Sequence, residues 1–405
     1  MSPSTDSSLL RPLEEARRQT DDLFRVIRPD SMFERPVPER HRLNFYLGHL
    51  EAFDWNMICR YALSMPAFRD DLDQLFAFGI DPGEDGLPTD KPSDWPSLEE
   101  TNAYSRRVRE TVDKALADAP EQVVHVAIEH RLMHAETLCY LLHNLETARK
   151  AAPRRLVVDS GPPPQTAMID IPAGAATLGQ PRGEAFGWDN EFDETRIDVP
   201  SFSIGKHKIT NGDYLEFVKQ GQTPPHFWRD TAAGWRLRTM FGEIPLPLDW
   251  PVYATQLEAA AYAAWKGKAL PAEVQIQRAA FGSAGGLERS YPWGEEPPDP
   301  THGNFDFAHW DPIPVTATPA GDSAFGVSQL LGNGWEWTSD LFRPLPGFEQ
   351  LEFYPGYSAN FFDDDHYVIK GGSPRTAAKL LRRSFRNWFR PGYRYVYAGF
   401  RLVDN

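Results

Sequence analysis

The chain has 405 residues, too many for one ordinary hydrophobic core, so two domains are expected. With 41% hydrophobic and 24% charged residues it reads as globular, and no run of about 18 apolar residues offers a membrane span. The 42 basic and 57 acidic side chains leave a net charge of −15, which argues against nucleic acid or anionic membrane as partners and favours small molecules. The opening MSPSTDSSLLRPLEEARRQTDD lacks the apolar stretch and small-residue cleavage site of a secretory leader, so the cytoplasm is the expected compartment. Cys59 and Cys139 each sit in an apolar helical pattern, which predicts buried, inert thiols and no disulfide framework.

Apolar residues recurring at three- and four-residue steps predict helices over roughly 8–27, 41–65, 97–118 and 121–149, enough for a four-helix bundle. FGIDPGEDGLPTDKPSDWPS, between the second and third, is too rich in Pro, Gly and Asp for a regular element and predicts a long connection. Periodicity breaks at PRRLVVDSGPPPQT, giving an expected helical domain over 1–152, a linker over 153–166 and a second domain over 167–405. That second domain is rich in Gly, Pro, Trp and Phe, with short strand-like runs and one clear helix near 256–266, so the chain as a whole is expected to be α+β.

IEHRLMHAETL places His130 and His134 four apart on one helix face, where two imidazoles can share a metal. A third ligand must come from a facing helix, and His49 in FYLGHLEAFDW is the best placed; His41 and His125 are its rivals. Spacing alone leaves iron, zinc and copper open. The zinc-protease pattern H-E-x-x-H is excluded by Arg131, which stands where the general base is required. Glu136 fits an outward face as well as a partner to a ligand. Near the C-terminus, LRRSFRNWFRPGYRYVYAGFRLV mixes arginines with aromatic residues. Its arginines suit a carboxylate, the faces of Trp388 and Phe389 suit a quaternary ammonium group, and Asn387 suits a directed hydrogen bond. Tyr354 and Tyr357 in EFYPGYSANFF are candidate acids or hydrogen donors.

Seven blocks occur in order: IPAG at Ile171, KITNGDYLEF at Lys208, AAAYAAWKGKALPAE at Ala259, YPWGEE at Tyr291, GNGWEWTSD at Gly332, IKGGS at Ile369 and AGFRLV at Ala398. They resemble the formylglycine-generating-enzyme-like domain, a variant of the C-type-lectin-like fold, and the first half resembles a DinB-like four-helix bundle. This order of halves is similar to the iron-dependent sulfoxide synthases of ergothioneine biosynthesis, the fungal type above all. The resemblance implies Fe(II) held by His49, His130 and His134, and trimethylhistidine (hercynine) bound at Asn387 and Trp388. It also implies O2 and a cysteine-type thiol as co-substrates, and a catalytic tyrosine at Tyr354 or Tyr357.

The sequence departs from that family at several points. Arg131 replaces a usual Glu, Pro374 a common Trp, and Phe53 and Met133 stand where the actinobacterial branch has glutamines that order the imidazole. The acidic GIDPGEDG loop lacks that branch's arginines for γ-glutamylcysteine, so free cysteine is the expected donor, its carboxylate paired with Arg390 or Arg394. Formylglycine formation needs cysteines in the second half, and none lies beyond Cys139. The alternatives are a selenoneine-type synthase with a selenosugar donor, a zinc-dependent DinB-like thiol transferase or hydrolase, and a lectin-like binding module. Donor competition, metal content with oxygen dependence, and the effect of His130→Ala separate them.

Overall fold

The computed structural model describes residues 9–80, 86–151 and 160–404, and Cα packing divides the chain into Met1–Arg154 and Arg155–Asn405. The first half of the expected linker, 153–159, lies outside the described residues. By Gly161, whose N–H donates to Asp249 Oδ2 at 2.8 Å, the chain already belongs to the second unit. Among the described residues no helix is long and apolar enough to cross a membrane.

The first unit contains α1 (Leu10–Phe24), α2 (Leu43–Asp54), α3 (Asp70–Phe78), α4 (Leu98–Ala115) and α5 (Glu121–Asn144). Local chemistry sets the ends. Ser97 Oγ accepts the Glu100 N–H at the start of α4, α3 opens on Asp70, Asp71 and Asp73 at its positive pole, and Gly79 stops it at φ +76°. α5 is buried along most of its length and forms the centre of the unit.

Two features differ from the sequence expectation. The predicted 41–65 helix is split, because α2 widens into a π-helix over Trp55–Ala62. α3 was not foreseen; only Leu72 and Phe76 anchor its apolar side, while Asp73 accepts hydrogen bonds from Trp55 Nε1 (2.9 Å) and Tyr104 Oη (2.8 Å). Residues 81–85 of the connecting loop lie outside the described residues. Its later part is pinned by Asp90, which accepts from Arg42 Nε (2.7 Å) and Trp95 Nε1 (2.6 Å) and pairs with Arg35.

The second unit contains β1 (Met168–Ile171), β2 (Gly174–Leu178), β3 (Thr195–Val199), β4 (Phe202–Gly205), α6 (Asn211–Val218), β5 (Trp228–Thr231), β6 (Gly234–Arg238) and β7 (Glu243–Pro245). They are followed by α7 (Gln256–Trp265), α8 (Glu273–Phe281), β8 (Trp335–Leu341), β9 (Tyr367–Lys370), β10 (Asn387–Phe389), β11 (Ala398–Gly399) and β12 (Val403–Asp404). The predicted helix near 256–266 is α7, opened by a Thr255–Glu258 capping box; α6 and α8 are additional. β12 returns to pair with β4 beside β1, so the end of the chain closes the sheet that begins the unit. The sheet that matters for the site runs β10-β9-β8-β11, with β11 parallel to β8.

The sequence blocks meet as buried ion clusters. Lys208 of KITN and Arg401 of GFRLV both donate to Glu336 of WEW, at 2.9 and 2.7 Å, and all three are buried. Glu273 of LPAE accepts two bonds from Arg386, at 2.9 and 3.0 Å, with Lys370 of IKGGS 3.8 Å away. Such pairs add little net stability, but losing one partner costs about 3–5 kcal/mol because the other charge is stranded. These blocks therefore fix strand order, and the second cluster fixes the start of β10.

Candidate functional site

α2 carries His49, and α5 carries His130 and His134 one turn apart. Their ligating nitrogens all lie within 4.8 Å of one another, the one such cluster among the described residues. Ring centroids are 5.2 Å (His49 to His130), 4.8 Å (His49 to His134) and 4.5 Å (His130 to His134) apart. His49 Nδ1 lies 2.7 Å from the Phe76 carbonyl on α3; only an N–H donated to that oxygen makes this a hydrogen bond, so the lone pair is on Nε2. That Nε2 is 3.2 Å from His134 Nε2, the separation of two nitrogens bound at about 2.0–2.1 Å to one ion. Burial lowers the His49 pKa to about 4, and burial with the neighbouring imidazoles holds His130 and His134 well below the ordinary range. All three are neutral at pH 7, the form a metal needs, so the donor set fits a divalent transition metal. His41 and His125 lie outside the cluster: His41 packs on Phe45 at 4.3 Å, and His125 faces Glu121 at 3.4 Å.

The ring of Phe53 stacks on His130 with centroids 3.4 Å apart and planes 9° from parallel, walling the centre with an apolar surface. Met133 lies half-buried on α5. The glycine of LGH has a steric reason. A Cβ at Gly48 would fall 2.4 Å from the ring of Phe76, the residue whose carbonyl orients His49. We expect Gly48→Ala to cost about 1–3 kcal/mol by overpacking and to weaken metal binding. Melting of the metal-free protein and a Co(II) titration read the two effects, and unchanged affinity would show that Phe76 does not set the imidazole. Arg131, at first only an anomaly of motif, is fully buried and bonded to Glu51, Leu50 and Asp54 of α2.

In the second unit, Asn387, Trp388 and Phe389 form β10, paired antiparallel to β9. Trp388 lies flat on Phe342 at 4.2 Å and meets Tyr357 at 5.5 Å and Phe361 at 5.4 Å. Tyr357 in turn stacks on the buried Trp188 at 3.9 Å, and its neighbour Ser358 donates to Asp189 Oδ1 at 2.6 Å, which anchors the YPGYS turn. Tyr354 is 5.9 Å from Tyr357, and its pKa is raised by burial and by the charge of Asp189. Asn387 Oδ1 accepts the N–H of Trp388 at 2.8 Å. Phe389 instead stacks on Tyr393 at 5.1 Å, on the face opposite Trp388, because successive strand residues alternate. Arg390 is exposed and paired with Asp365 at 3.1 Å; Arg394 is exposed, and its charge helps lower the pKa of His226 to about 4, after burial.

The structure thus brings Trp388, Tyr354 and Tyr357 into one aromatic cluster, while Phe389 lies on Tyr393, Arg390 pairs with Asp365 and Arg394 stands beside His226. Trp188, Asp189 and Phe342 were missed by sequence reasoning. The only local signal was a tryptophan before the turn-forming DNE.

Residues 155–405 match the profile of the Sulfatase-modifying factor enzyme 1-like domain. The chain is 36% identical over 334 residues to a hercynine oxygenase of Mycobacterium tuberculosis, which spans 74% of this chain and 76% of that protein. It is 28% identical to ergothioneine biosynthesis protein 1 of Neurospora crassa over 92% of this chain and 55% of that longer protein. Among solved structures, PvdO from Pseudomonas aeruginosa aligns with 58% of this chain and 93% of its own at 23% identity and a TM-score of 0.45.

Proposed function

The chain belongs to the hercynine oxygenase family, and from that premise we propose that it joins the imidazole C2 of hercynine to the sulfur of a cysteine-type thiol as a sulfoxide, using O2. The observation that carries the reading is the three neutral imidazoles of His49, His130 and His134 converging on one point. Iron(II) held there would supply the redox chemistry with O2 and open coordination positions for the substrates. The atoms balance. A C–H and an S–H bond are lost, a C–S bond forms, one oxygen goes to sulfur and the other leaves as water, so O2 takes up four electrons.

The protein's own side chains then have separate tasks. Phe53 excludes water from one side of the imidazoles, supported by its stack on His130. Trp388 and Asn387 hold the trimethylammonium end of hercynine, a cation that favours an aromatic face over water. Phe342 backs one face of Trp388, with Tyr357 and Phe361 5.5 and 5.4 Å away. Tyr354, whose pKa is raised by burial and by Asp189, is the residue we assign as proton or hydrogen donor; Tyr357, stacked on Trp188, is assigned a packing role. Free cysteine is the proposed donor, because the acidic GIDPGEDG loop offers no arginine for the longer γ-glutamylcysteine. Its carboxylate is assigned to Arg394, because Arg390 is already paired with Asp365.

The decisive experiment is anaerobic loading with Fe(II), then O2, hercynine and thiol, with mass spectrometry of the product. The summed substrates plus one oxygen less two hydrogens supports the proposal; no product from cysteine or γ-glutamylcysteine despite bound iron sinks it. We expect Trp388→Ala to raise KM for hercynine about 3- to 30-fold, matching about 0.5–2 kcal/mol of cation–π attraction, with KM for the thiol little changed. An unchanged hercynine KM would remove Trp388 from hercynine binding.

A further inference from the structure

We propose that Arg131 is a positioning residue for the metal centre, locking α2 and α5 in the register that sets His49 against His130 and His134. The inference rests on the metal-centre reading above. Arg131 follows His130 directly and, one residue on, projects about 100° around α5 from it. It is fully buried, and its two terminal nitrogens span the turn of α2 that follows His49. Nη1 donates to Glu51 Oε1 at 3.0 Å, and Nη2 donates to the Leu50 carbonyl at 2.9 Å and to Asp54 Oδ2 at 2.7 Å.

A guanidinium is a rigid planar fork, so these three bonds can be satisfied together in only one alignment of the two helices. A slip of α5 by one residue moves it about 1.5 Å, enough to take bonds of this length out of range. The carboxylates on α2 are themselves held from the other side. Arg109 of α4 donates to Glu51 at 2.7 Å and to Asp21 of α1 at 2.7 and 2.8 Å, and Arg17 of α1 lies 3.8 Å from Asp54 and pairs with Asp113 of α4. The cluster thus ties four helices together beside the histidines.

As a source of stability this arrangement is poor, since a buried ion pair is often matched or bettered by apolar residues of the same volume. An apolar patch at this place would also leave sliding unpunished. What the fork supplies is register, and the metal ligands on both sides of the contact are what depends on it. The histidine pair on α5 is one turn long by its own helix; only the distance from that pair to His49 is set by how α2 and α5 meet.

The test separates register from stability. In the triple variant Arg131→Met, Glu51→Gln, Asp54→Asn the central charges are removed together, so no carboxylate is left facing a lost arginine. We expect its metal-free form to fold, Arg17 and Arg109 keeping Asp113 and Asp21 as partners, while Co(II) affinity falls about 10- to 100-fold and the Co(II) absorption bands shift. Arg131→Lys keeps the charge but not the fork, and is expected to lose affinity about tenfold. Wild-type affinity and bands in a folded triple variant would overturn the inference. If that variant does not fold, Arg131→Lys decides on the same two readouts, and failure of both to fold would also overturn it, the cluster then serving the whole bundle. Failure of the wild-type protein itself to bind one Co(II) would instead remove the metal-centre reading.

Discussion

Alanine at any one of His49, His130 and His134 is expected to lower Fe(II) affinity by more than about 100-fold and to end sulfoxide formation at micromolar iron. Partners that merely orient a metal ligand are worth 10–100-fold in affinity, and a direct ligand is worth more. The three imidazoles are neutral and face one another, so each removal leaves two donors, too few to hold a divalent ion against water. Linkage gives a second readout. A metal bound only by the folded state raises its melting temperature, so chelation should lower that of the loaded wild-type protein and leave that of His130→Ala unmoved. His41→Ala and His125→Ala should bind iron as the wild type does, because both rings lie outside the cluster. Full iron content in two of the three cluster variants would show that the metal, if any, is held elsewhere.

For Tyr354→Phe the expected change is in what is made. A well-placed proton donor is worth about 10²–10⁴-fold, so the sulfoxide rate should fall by at least about 100-fold. Oxidation of the thiol alone, which needs no such donor, then becomes the main reaction, with sulfinic acid at thiol plus two oxygens as its product. Burial and the nearby charge of Asp189 keep the Tyr354 proton in place, the state a donor requires. Tyr357→Phe keeps the ring that stacks on Trp188 at 3.9 Å, so its product ratio should stay within about threefold of wild type, the scale of one exposed-strength polar contact. Exchange of the two outcomes would exchange the two roles, and no change in either would remove both tyrosines from the chemistry.

The iron-binding expectation and the donor expectation are independent in their failures. The first is read by metal content with no substrate present; the second is read by the ratio of two products and presupposes only turnover. A histidine variant that retained metal but changed the ratio would point to substrate orientation at the bundle, where Phe53 stacks on His130.

Much of the site was legible locally. A four-residue step fixes that His130 and His134 share a face, because the helical period depends only on the backbone. Strand alternation likewise implied that Trp388 and Phe389 face opposite ways, although both had been assigned to one cation; the stack of Phe389 on Tyr393 shows the consequence. Capping boxes such as Thr255 with Glu258 mark helix starts in the sequence itself. Short helices were harder. α3 and α6, at nine and eight residues, are too short for a period to stand out from loops, and the π-helix after Asp54 continues an apolar pattern that reads as ordinary α-helix.

The sequence by itself determined the helical half, the sheet-poor half, the histidine pair and the ordered blocks of the second unit, all of which follow from interactions within a few residues or from the blocks themselves. Only the tertiary structure decided that His49 rather than His41 or His125 completes the triad, that Phe76 orients it, that Arg131 spans α2, and that Trp188 backs Tyr357. Each of these joins residues 27 to 169 positions apart, as with His49 and Phe76 or Trp188 and Tyr357. Such contacts are chosen by how whole helix and sheet faces pack, and no local period or propensity encodes them.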